Sequence, residues 1–269
     1  MRAEAEAPPV EPLLDSGPAA AVRLSGVGRR FRLRGSVVVA LEGVDLSVAP
    51  GEVVAVVGRS GSGKSTLLEL AAGLQEPDTG TVEAGEAVDA AGRRAACAYM
   101  PQRDLLLPWR DALGNAALAL EASGIGRRDA RRHAAPLFER FGLADFERAR
   151  PAALSGGMRQ RVAFLRTLLA GRPVLLLDEP FASLDAITRA DMQEWLAGAL
   201  AAVPRTVVLV THDVEEALFL ADRVVILGAR PGHVVAELEV CARRPRPRSD
   251  FLGGPEAGGL RARALEALR

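Results

Sequence analysis

One glycine-rich stretch of the sequence has the residue types and spacing of a phosphate-binding loop. It follows an aliphatic run and opens a helical pattern, which is the context that such a loop requires. Its glycines let the backbone curl so that successive N–H groups face phosphate oxygens, and the helix start adds the positive end of its dipole. The predicted nucleotide contacts are Gly58, Arg59, Ser60, Gly61, Ser62, Gly63, Lys64, Ser65 and Thr66.

Two residues of this loop have specific predicted roles. Lys64, the only lysine in the chain, is expected to reach the β- and γ-phosphates of ATP, and Ser65 to ligate Mg²⁺. A planar guanidinium would not replace a compact ammonium at that position. The alternative is an ordinary glycine-rich turn, and the strand before it and the helix after it argue against that interpretation.

Two adjacent carboxylates end a second aliphatic run. Asp178 and Glu179 follow residues 174–177, and alternation along a strand would turn their side chains in different directions. Asp178 fits a Mg²⁺ partner, and Glu179 fits the group that polarises the attacking water. The alternative is a strand end with solvated acids, which the phosphate loop elsewhere in the chain makes less attractive.

A second predicted helix N-terminus, whose glycines leave the backbone amides accessible, lies at residues 154–161, which read Leu-Ser-Gly-Gly-Met-Arg-Gln-Arg. Ser155 with Gly156 and Gly157 should bind a phosphate, although Ser155 acting only as a helix cap is the alternative. A chain with two phosphate cradles implies a second molecule. This stretch resembles the signature sequence of ABC ATPases, in which the signature of one subunit closes over the nucleotide held by the other.

The resemblance covers residues 22–240 and extends to four further positions. It implies that Gln102 touches Mg²⁺ and the attacking water, that Asp185 lies in the loop crossing the dimer interface, and that His212 contacts the γ-phosphate. It also implies that Phe31 stacks on adenine. Taken alone, His212 would be a bystander beside a helix cap and Phe31 would be a core residue.

The properties of the whole chain agree with a single ATPase unit. The 269 residues carry 34 basic and 34 acidic side chains, so net charge gives no sign of a nucleic-acid partner. Cys97 and Cys241 lie far apart without metal-ligand spacing, which indicates a reducing compartment. Since no run of about 18 apolar residues occurs, we expect a cytoplasmic protein that is peripheral on the inner face of the membrane through a partner.

Three buried aliphatic strands are expected to position these residues. They are predicted at residues 53–57, 174–177 and 207–210, each followed by a polar cluster and a helix, at 66–72, 186–200 and 214–221. This order predicts an α/β fold with a mainly parallel sheet and helices on both faces, with ligands at the carboxyl ends of the strands.

The remaining segments are assigned by composition. Residues 22–46 predict an antiparallel β lobe, and residues 103–152 an inserted helical subdomain. The ATPase domain is placed at residues 21–240, after a disordered tail at 1–20. Residues 241–269 are interpreted as a solvated basic linker, a loose link at 254–259 and a short helix at 260–268.

Several stretches resemble the ATPase subunits of nitrate, sulfonate, taurine and thiamine-precursor importers. They include residues 105–110, Leu-Leu-Leu-Pro-Trp-Arg, and residues 186–189, Ala-Ile-Thr-Arg, which resemble the thiamine-precursor branch most. The resemblance implies a homodimer, an integral membrane permease docked near Trp109 and, indirectly, a solute-binding protein. Trp109 packed inside the helical subdomain is the alternative there. An exporter ATPase and a soluble ABC protein without a permease are the alternatives for function.

Overall fold

The computed structural model describes residues 20–33 and 35–269. The predicted disordered tail therefore lies outside the described residues, apart from Ala20. The described residues form two sheets surrounded by helices, and the larger sheet holds the strands that end at the candidate chemistry.

The smaller sheet is antiparallel and forms the lobe predicted near the start of the chain. Its strands are β1 (Val22–Leu33), β2 (Ser36–Val48) and β4 (Thr79–Ala84), in the order β2-β1-β4. The third strand of this lobe, β4, comes from beyond the phosphate loop and had no sequence signal of its own.

The larger sheet has six strands in the order β5-β6-β7-β3-β8-β9. All pairings are parallel except the last, β8 with β9. The predicted buried strands are present as β3, β6 and β7 and lie side by side. All their residues are buried, as expected of aliphatic strands covered on both faces of a sheet. The six strands are β3 (Val53–Gly58), β5 (Cys97–Met100), β6 (Val174–Asp178), β7 (Thr206–Thr211), β8 (Arg223–Leu227) and β9 (Val234–Glu239).

Ten helices are assigned in the part of the chain that the structure describes. They are α1 (Lys64–Ala71), α2 (Ala90–Ala96), α3 (Ala112–Ala116), α4 (Leu118–Ala122), α5 (Arg127–Arg140), α6 (Gly156–Leu168), α7 (Ala186–Ala202), α8 (Val214–Leu220), α9 (Arg248–Leu252) and α10 (Pro255–Ala267).

Strand β3 separates two hydrophobic cores. Val54 and Val56 pack with the β lobe and α1 on one face of the sheet. Val53, Ala55 and Val57 face the other core, which is formed with helices from α3 onward. The alternation of adjacent apolar residues between two cores fixes the register of β3, and with it the position of the loop that follows.

Residues 105–151 carry helices α3 to α5, and none of their described residues is in a strand, as the sequence predicts. The boundaries of the subdomain, at 103–152, stay a prediction. Asp111 begins α3 by accepting a hydrogen bond from the Gly114 amide and pairing with Arg131 on α5. The Arg131 hydrogen bond lowers the pKa of Asp111, so this carboxylate ties two helices of the subdomain together.

The interpretation of the C-terminal segment as a solvated linker was wrong. Arg244 forms an ion pair with Asp222, and Arg246 is buried, where it donates to the carbonyls of Leu218 and Ala221 at the end of α8. Carbonyls at a helix end have no partners within the helix, so they attract a cation. Residues 254–259 are also not a loose link, since α10 already begins at Pro255.

None of the helices described over residues 20–33 and 35–269 has the length and apolar character needed to cross a membrane.

Candidate functional site

The phosphate loop joins the end of β3 to the start of α1 in a conformation that only glycine adopts without strain at two positions. Gly61 and Gly63 have φ angles of 78° and 94°. A Cβ atom on Gly63 would also lie 2.8 Å from the carbonyl oxygen of Ala40, in the β lobe. The tight curl brings the loop against β2 and leaves its backbone amides beside the first turn of α1.

Lys64 is folded back over this loop. Its Nζ donates to the carbonyls of Gly58 and Arg59, at 2.8 and 3.0 Å. Burial lowers the pKa of Lys64, and the carboxylates of Glu179 and Asp178 oppose that change. The ammonium is therefore held at the mouth of the loop, close to both carboxylates that the sequence identifies.

Asp178 ends β6 and is 3% exposed. Burial raises the pKa of Asp178, while a hydrogen bond with the Ser65 side chain and the charge of Lys64 lower it. A buried carboxylate and a hydroxyl next to a phosphate loop form the hard oxygen donor set that Mg²⁺ prefers. The residues present thus fit a magnesium ion.

Glu179 follows β6 with a φ angle of 48°, a left-handed conformation that is uncommon for a residue with a side chain. The direction of its carboxylate therefore comes from this turn and not from the strand alternation that we expected. Its amide donates to the Val210 carbonyl over 2.8 Å. Its carboxylate faces Gln102 Nε2 and His212 Nδ1, each at 3.2 Å. Strained backbone of this kind recurs at functional sites, where the surrounding contacts enforce it.

The predicted histidine has a neighbour that acts as the helix cap. Asp213 accepts from the amides of Glu215 and Glu216 at the start of α8, and its own amide donates to Thr211 Oγ1. His212 is therefore left with its ring beside Glu179 and takes no part in the cap.

Phe31 is half-buried and lines an open cleft of about 280 Å³, so it is not a core residue. The Arg29 guanidinium lies 5.0 Å from the centre of its ring. The same cleft is lined by most of the phosphate loop and by two of the three catalytic candidates, Gln102 and Glu179, whereas His212 lies outside it. The lining residues are Phe31, Val38, Ala40, Ser60, Gly61, Gly63, Lys64, Ser65, Thr66, Gln102, Glu179 and Arg230. Three loop residues predicted as nucleotide contacts do not line it: Gly58 and Ser62 are buried, and Arg59 is exposed.

The signature and the interface loop lie away from this cleft. Ser155 begins α6 by accepting from the Met158 amide over 3.2 Å, and Gly156 is exposed. Asp185 begins α7 in the same way, with the Thr188 amide at 3.0 Å. None of Ser155, Gly156, Gly157 and Asp185 is among the described residues that line the cleft. A single chain thus presents two separate candidate phosphate sites.

Two features at the site had no sequence signal that we recognised. Arg230, in the turn after β8, lines the cleft. A second, smaller cavity of about 40 Å³ lies behind Glu179 and His212 and is bordered by Arg189 and Glu216. Burial raises the pKa of Glu216 to about 7.

The phosphate loop, the buried aspartate and the oriented glutamate at the carboxyl edge of a parallel sheet define a P-loop nucleotide hydrolase. Its family follows from comparison with known proteins. A family model described as ABC transporter matches residues 41–182, more than half of the chain. The chain belongs to this ABC transporter family and is an ATP-binding cassette ATPase.

Similar proteins agree with this assignment. The formylaminopyrimidine import ATP-binding protein ThiZ of Halalkalibacterium halodurans is 48% identical over 200 residues, which cover 74% of this chain and 78% of that protein. An aliphatic sulfonates import ATP-binding protein, SsuB 1 of Rhodococcus jostii, is 47% identical over 227 residues, 84% of this chain and 86% of that protein. The ATP-binding cassette MJ0796, solved as a dimer after hydrolysis with ADP and phosphate, superposes with a TM-score of 0.75 at 29% identity, over 82% of this chain and 100% of that chain.

Proposed function

We propose that this chain is the Mg²⁺-dependent ATP-hydrolysing subunit of an ABC importer and energises the uptake of a small solute. The observation that carries the proposal is the proximity of Lys64, Asp178 and Glu179 at the carboxyl edge of one sheet, beside an open cleft of about 280 Å³. The import direction rests on the similarity to proteins named as import ATP-binding subunits.

The residues divide into binding and chemical roles. The phosphate loop holds the triphosphate and Phe31 faces the adenine. Ser65, Asp178 and Gln102 would hold Mg²⁺, which would neutralise charge developing on the transferred phosphoryl group. Glu179 polarises the attacking water, because contacts with Gln102 and His212 hold its carboxylate in one direction. His212, whose ring lies beside Glu179, is assigned to the γ-phosphate by the resemblance to ABC ATPases.

A second copy completes the site. Ser155, Gly156, Gly157 and Asp185 lie away from the cleft of their own chain, so we place them over the nucleotide of a partner subunit. A dimer of this kind would close two nucleotides between two chains. The similarity to a cassette solved as a dimer supports this arrangement.

The membrane partner is a permease, and the protein acts at the inner face of the membrane with a solute-binding protein on the other side. Trp109 and Leu105 are 67% and 58% exposed, so they offer an apolar docking surface on the helical subdomain. The solute is of the nitrate, sulfonate, taurine or thiamine-precursor type, by similarity to the import proteins. Since the solute does not touch this subunit, its identity is a property of the partners.

Reconstitution of this chain with its permease in lipid vesicles tests the proposal. Vesicles holding the permease and this chain should accumulate solute delivered by the binding protein only when MgATP is present on the side of this chain. Lys64→Ala should abolish both hydrolysis and accumulation. Hydrolysis without accumulation would contradict an import function. Transport of solute from the side of this chain to the side of the binding protein would contradict it as well.

A further inference from the structure

The turn between β8 and β9, residues 228–233, is built into the nucleotide cleft. Gly232 donates from its amide to Ala40 and accepts from the amide of Glu42, at 2.9 and 3.0 Å, which fixes the turn to β2. A Cβ atom on Gly232 would lie 2.0 Å from the carbonyl oxygen of Ser62. Only glycine fits there, because the turn lies directly against the phosphate loop.

This packing places Arg230 beside the phosphate loop. Its Nε donates to the carbonyl of Gly61 over 3.3 Å, and one of its terminal nitrogens would touch a Cβ atom on Gly61 at 3.3 Å. The guanidinium also borders the cleft that holds Lys64 and Phe31. Arg230 therefore reaches the site from a strand connection distant in sequence from every recognised motif.

Arg230 has no ion-pair partner in the part of the chain that the structure describes. Lys64 and Arg230 are the two cationic side chains among the described residues that line the cleft. Other arginines that reach between elements, such as Arg223 and Arg244, form ion pairs with Glu52 and Asp222. No carboxylate of residues 20–33 and 35–269 forms an ion pair with Arg230. Its planar fork has donors left over, in the geometry that suits two oxygens of one phosphate group.

We propose that Arg230 binds a phosphate group of the nucleotide, as a second cation beside Lys64. The inference rests on the proposed function, because it needs ATP in this cleft. The single long hydrogen bond to Gly61 would keep the guanidinium at the rim of the loop, and a phosphate oxygen would make a shorter and stronger charged hydrogen bond with it. Arg230 would thus hold the loop and the phosphate chain together once nucleotide enters.

The test is a comparison of nucleotide affinities by calorimetry at low and high salt. Arg230→Gln should weaken the binding of MgATP and MgADP by about tenfold at low salt, the worth of one charged hydrogen bond. The loss should shrink at about 1 M salt, where exposed charges are screened. Arg230→Lys should restore part of the affinity because it keeps the charge. Arg263→Gln, an exposed arginine on α10, is the matched control and should bind as wild type does.

A purely structural role for Arg230 gives a different result. If Arg230 only braced the phosphate loop, Arg230→Gln would lower the melting temperature of the nucleotide-free protein and its affinity loss would not depend on salt. That result, or unchanged affinity in Arg230→Gln, overturns the inference. Lys64→Ala distinguishes a failure of this inference from a failure of the proposed function. If the wild type binds nucleotide, Lys64→Ala does not, and Arg230→Gln binds as the wild type does, only the role of Arg230 is removed. A wild-type chain that binds no nucleotide removes the proposed function.

Discussion

The side-chain amide of Gln102 donates a hydrogen bond from Nε2 to Oε2 of Glu179, over 3.2 Å. Two residues further along, Asp104 pairs with Arg159 on α6 at 3.0 Å, and Arg166 on the same helix donates to the Asp104 carbonyl at 2.7 Å. The carboxylate at the candidate catalytic position is therefore linked through three residues to the helix that begins at Ser155. These contacts form a continuous path between this helix and the Glu179 carboxylate.

Glu179→Gln should bind ATP nearly as wild type does and lose turnover by at least about 100-fold. The amide keeps the shape and one acceptor for Gln102, but it cannot accept a proton from water, and general-base catalysis is worth roughly 10²–10⁴. Affinity by calorimetry and phosphate release by a coupled assay check the two halves of the expectation. Glu139→Gln, an exposed glutamate on α5, is the control. Equal turnover in Glu179→Gln and wild type would remove Glu179 from its role.

Ser155→Arg should leave nucleotide binding to the isolated chain near normal and stop hydrolysis, because the added bulk occupies the place of the partner's γ-phosphate. The cleanest measurement is light scattering in the Glu179→Gln background, where ATP should hold a dimer together. Adding Ser155→Arg should return that protein to a monomer. Ser155→Ala, which removes only the helix cap at a cost of about 1 kcal/mol, separates loss of the cap from bulk. A full dimer with Ser155→Arg contradicts the sandwich arrangement.

The sequence predicted the elements whose signals are local. The phosphate loop, the aliphatic strands β3, β6 and β7 and the start of α8 are each specified by residues within about ten positions of one another. Their convergence also followed, because carboxyl ends of parallel strands meet at one edge of a sheet.

Features that depend on distant packing escaped prediction. Leu106 lies between residues of an apolar loop and carries no local signal of burial, yet it is buried, because Asn115 holds the adjoining Leu107 backbone against α3. Arg246 was assigned to a solvated linker because its neighbours are prolines and arginines, whereas its partners are carbonyls more than twenty residues away on α8. Arg230 also escaped prediction, because its contact with Gly61 joins residues that are 169 positions apart.

The stability of Glu216→Gln relative to wild type should increase as pH rises. Glu216 is 4% exposed and faces Thr211, Gln193, Asp213 and Arg189, and burial raises its pKa from 4.5 to about 7. Folding thus keeps a proton on Glu216 that the unfolded chain has already released. The associated stability is complete below pH 4.5 and is lost as pH rises to about 7, by an amount on the order of 3 kcal/mol.

Urea unfolding of wild type and Glu216→Gln at pH 5 and pH 8 measures this difference directly. The stability of the variant relative to wild type should increase between the two pH values. Glu215→Gln, which loses only an exposed ion pair with Arg261, should change the unfolding free energy by less than about 1 kcal/mol at either pH. A difference between Glu216→Gln and wild type that does not change with pH contradicts this prediction.

Arg246→Met should destabilise the fold by about 1–3 kcal/mol, because it removes a cation from the last carbonyls of α8. Methionine keeps much of the volume against Phe251, whose ring lies 4.8 Å from the guanidinium carbon. Arg243→Met, at an exposed position three residues earlier, should change the free energy of unfolding by less than about 0.5 kcal/mol. Equal changes in the free energy of unfolding by urea for the two substitutions would contradict a stabilising role for Arg246.

The proposed docking surface, Leu105 and Trp109, lies on a loop whose backbone is held by hydrogen bonds on both sides of Trp109. Asn115 is fully buried and donates to the carbonyls of Leu107 and Arg110, at 3.1 and 3.3 Å. Arg110 in turn pairs with Glu121 on α4 at 2.8 Å. Since these contacts hold the backbone on both sides of Trp109, its exposed ring does not result from a loose loop. Large, preorganised aromatic side chains of this kind are typical energetic centres of protein interfaces.

Trp109→Ala should lower co-purification with the permease and solute uptake in cells by at least about tenfold, since loss of an interface tryptophan commonly costs 2 kcal/mol or more. ATP binding and melting temperature of the isolated chain should stay as in wild type, because the exposed ring supports no core contact. Leu265→Ala, at a half-exposed apolar position on α10, controls for general loss of surface hydrophobicity. A Trp109→Ala protein that assembles and transports like wild type would place the permease contact elsewhere on the chain.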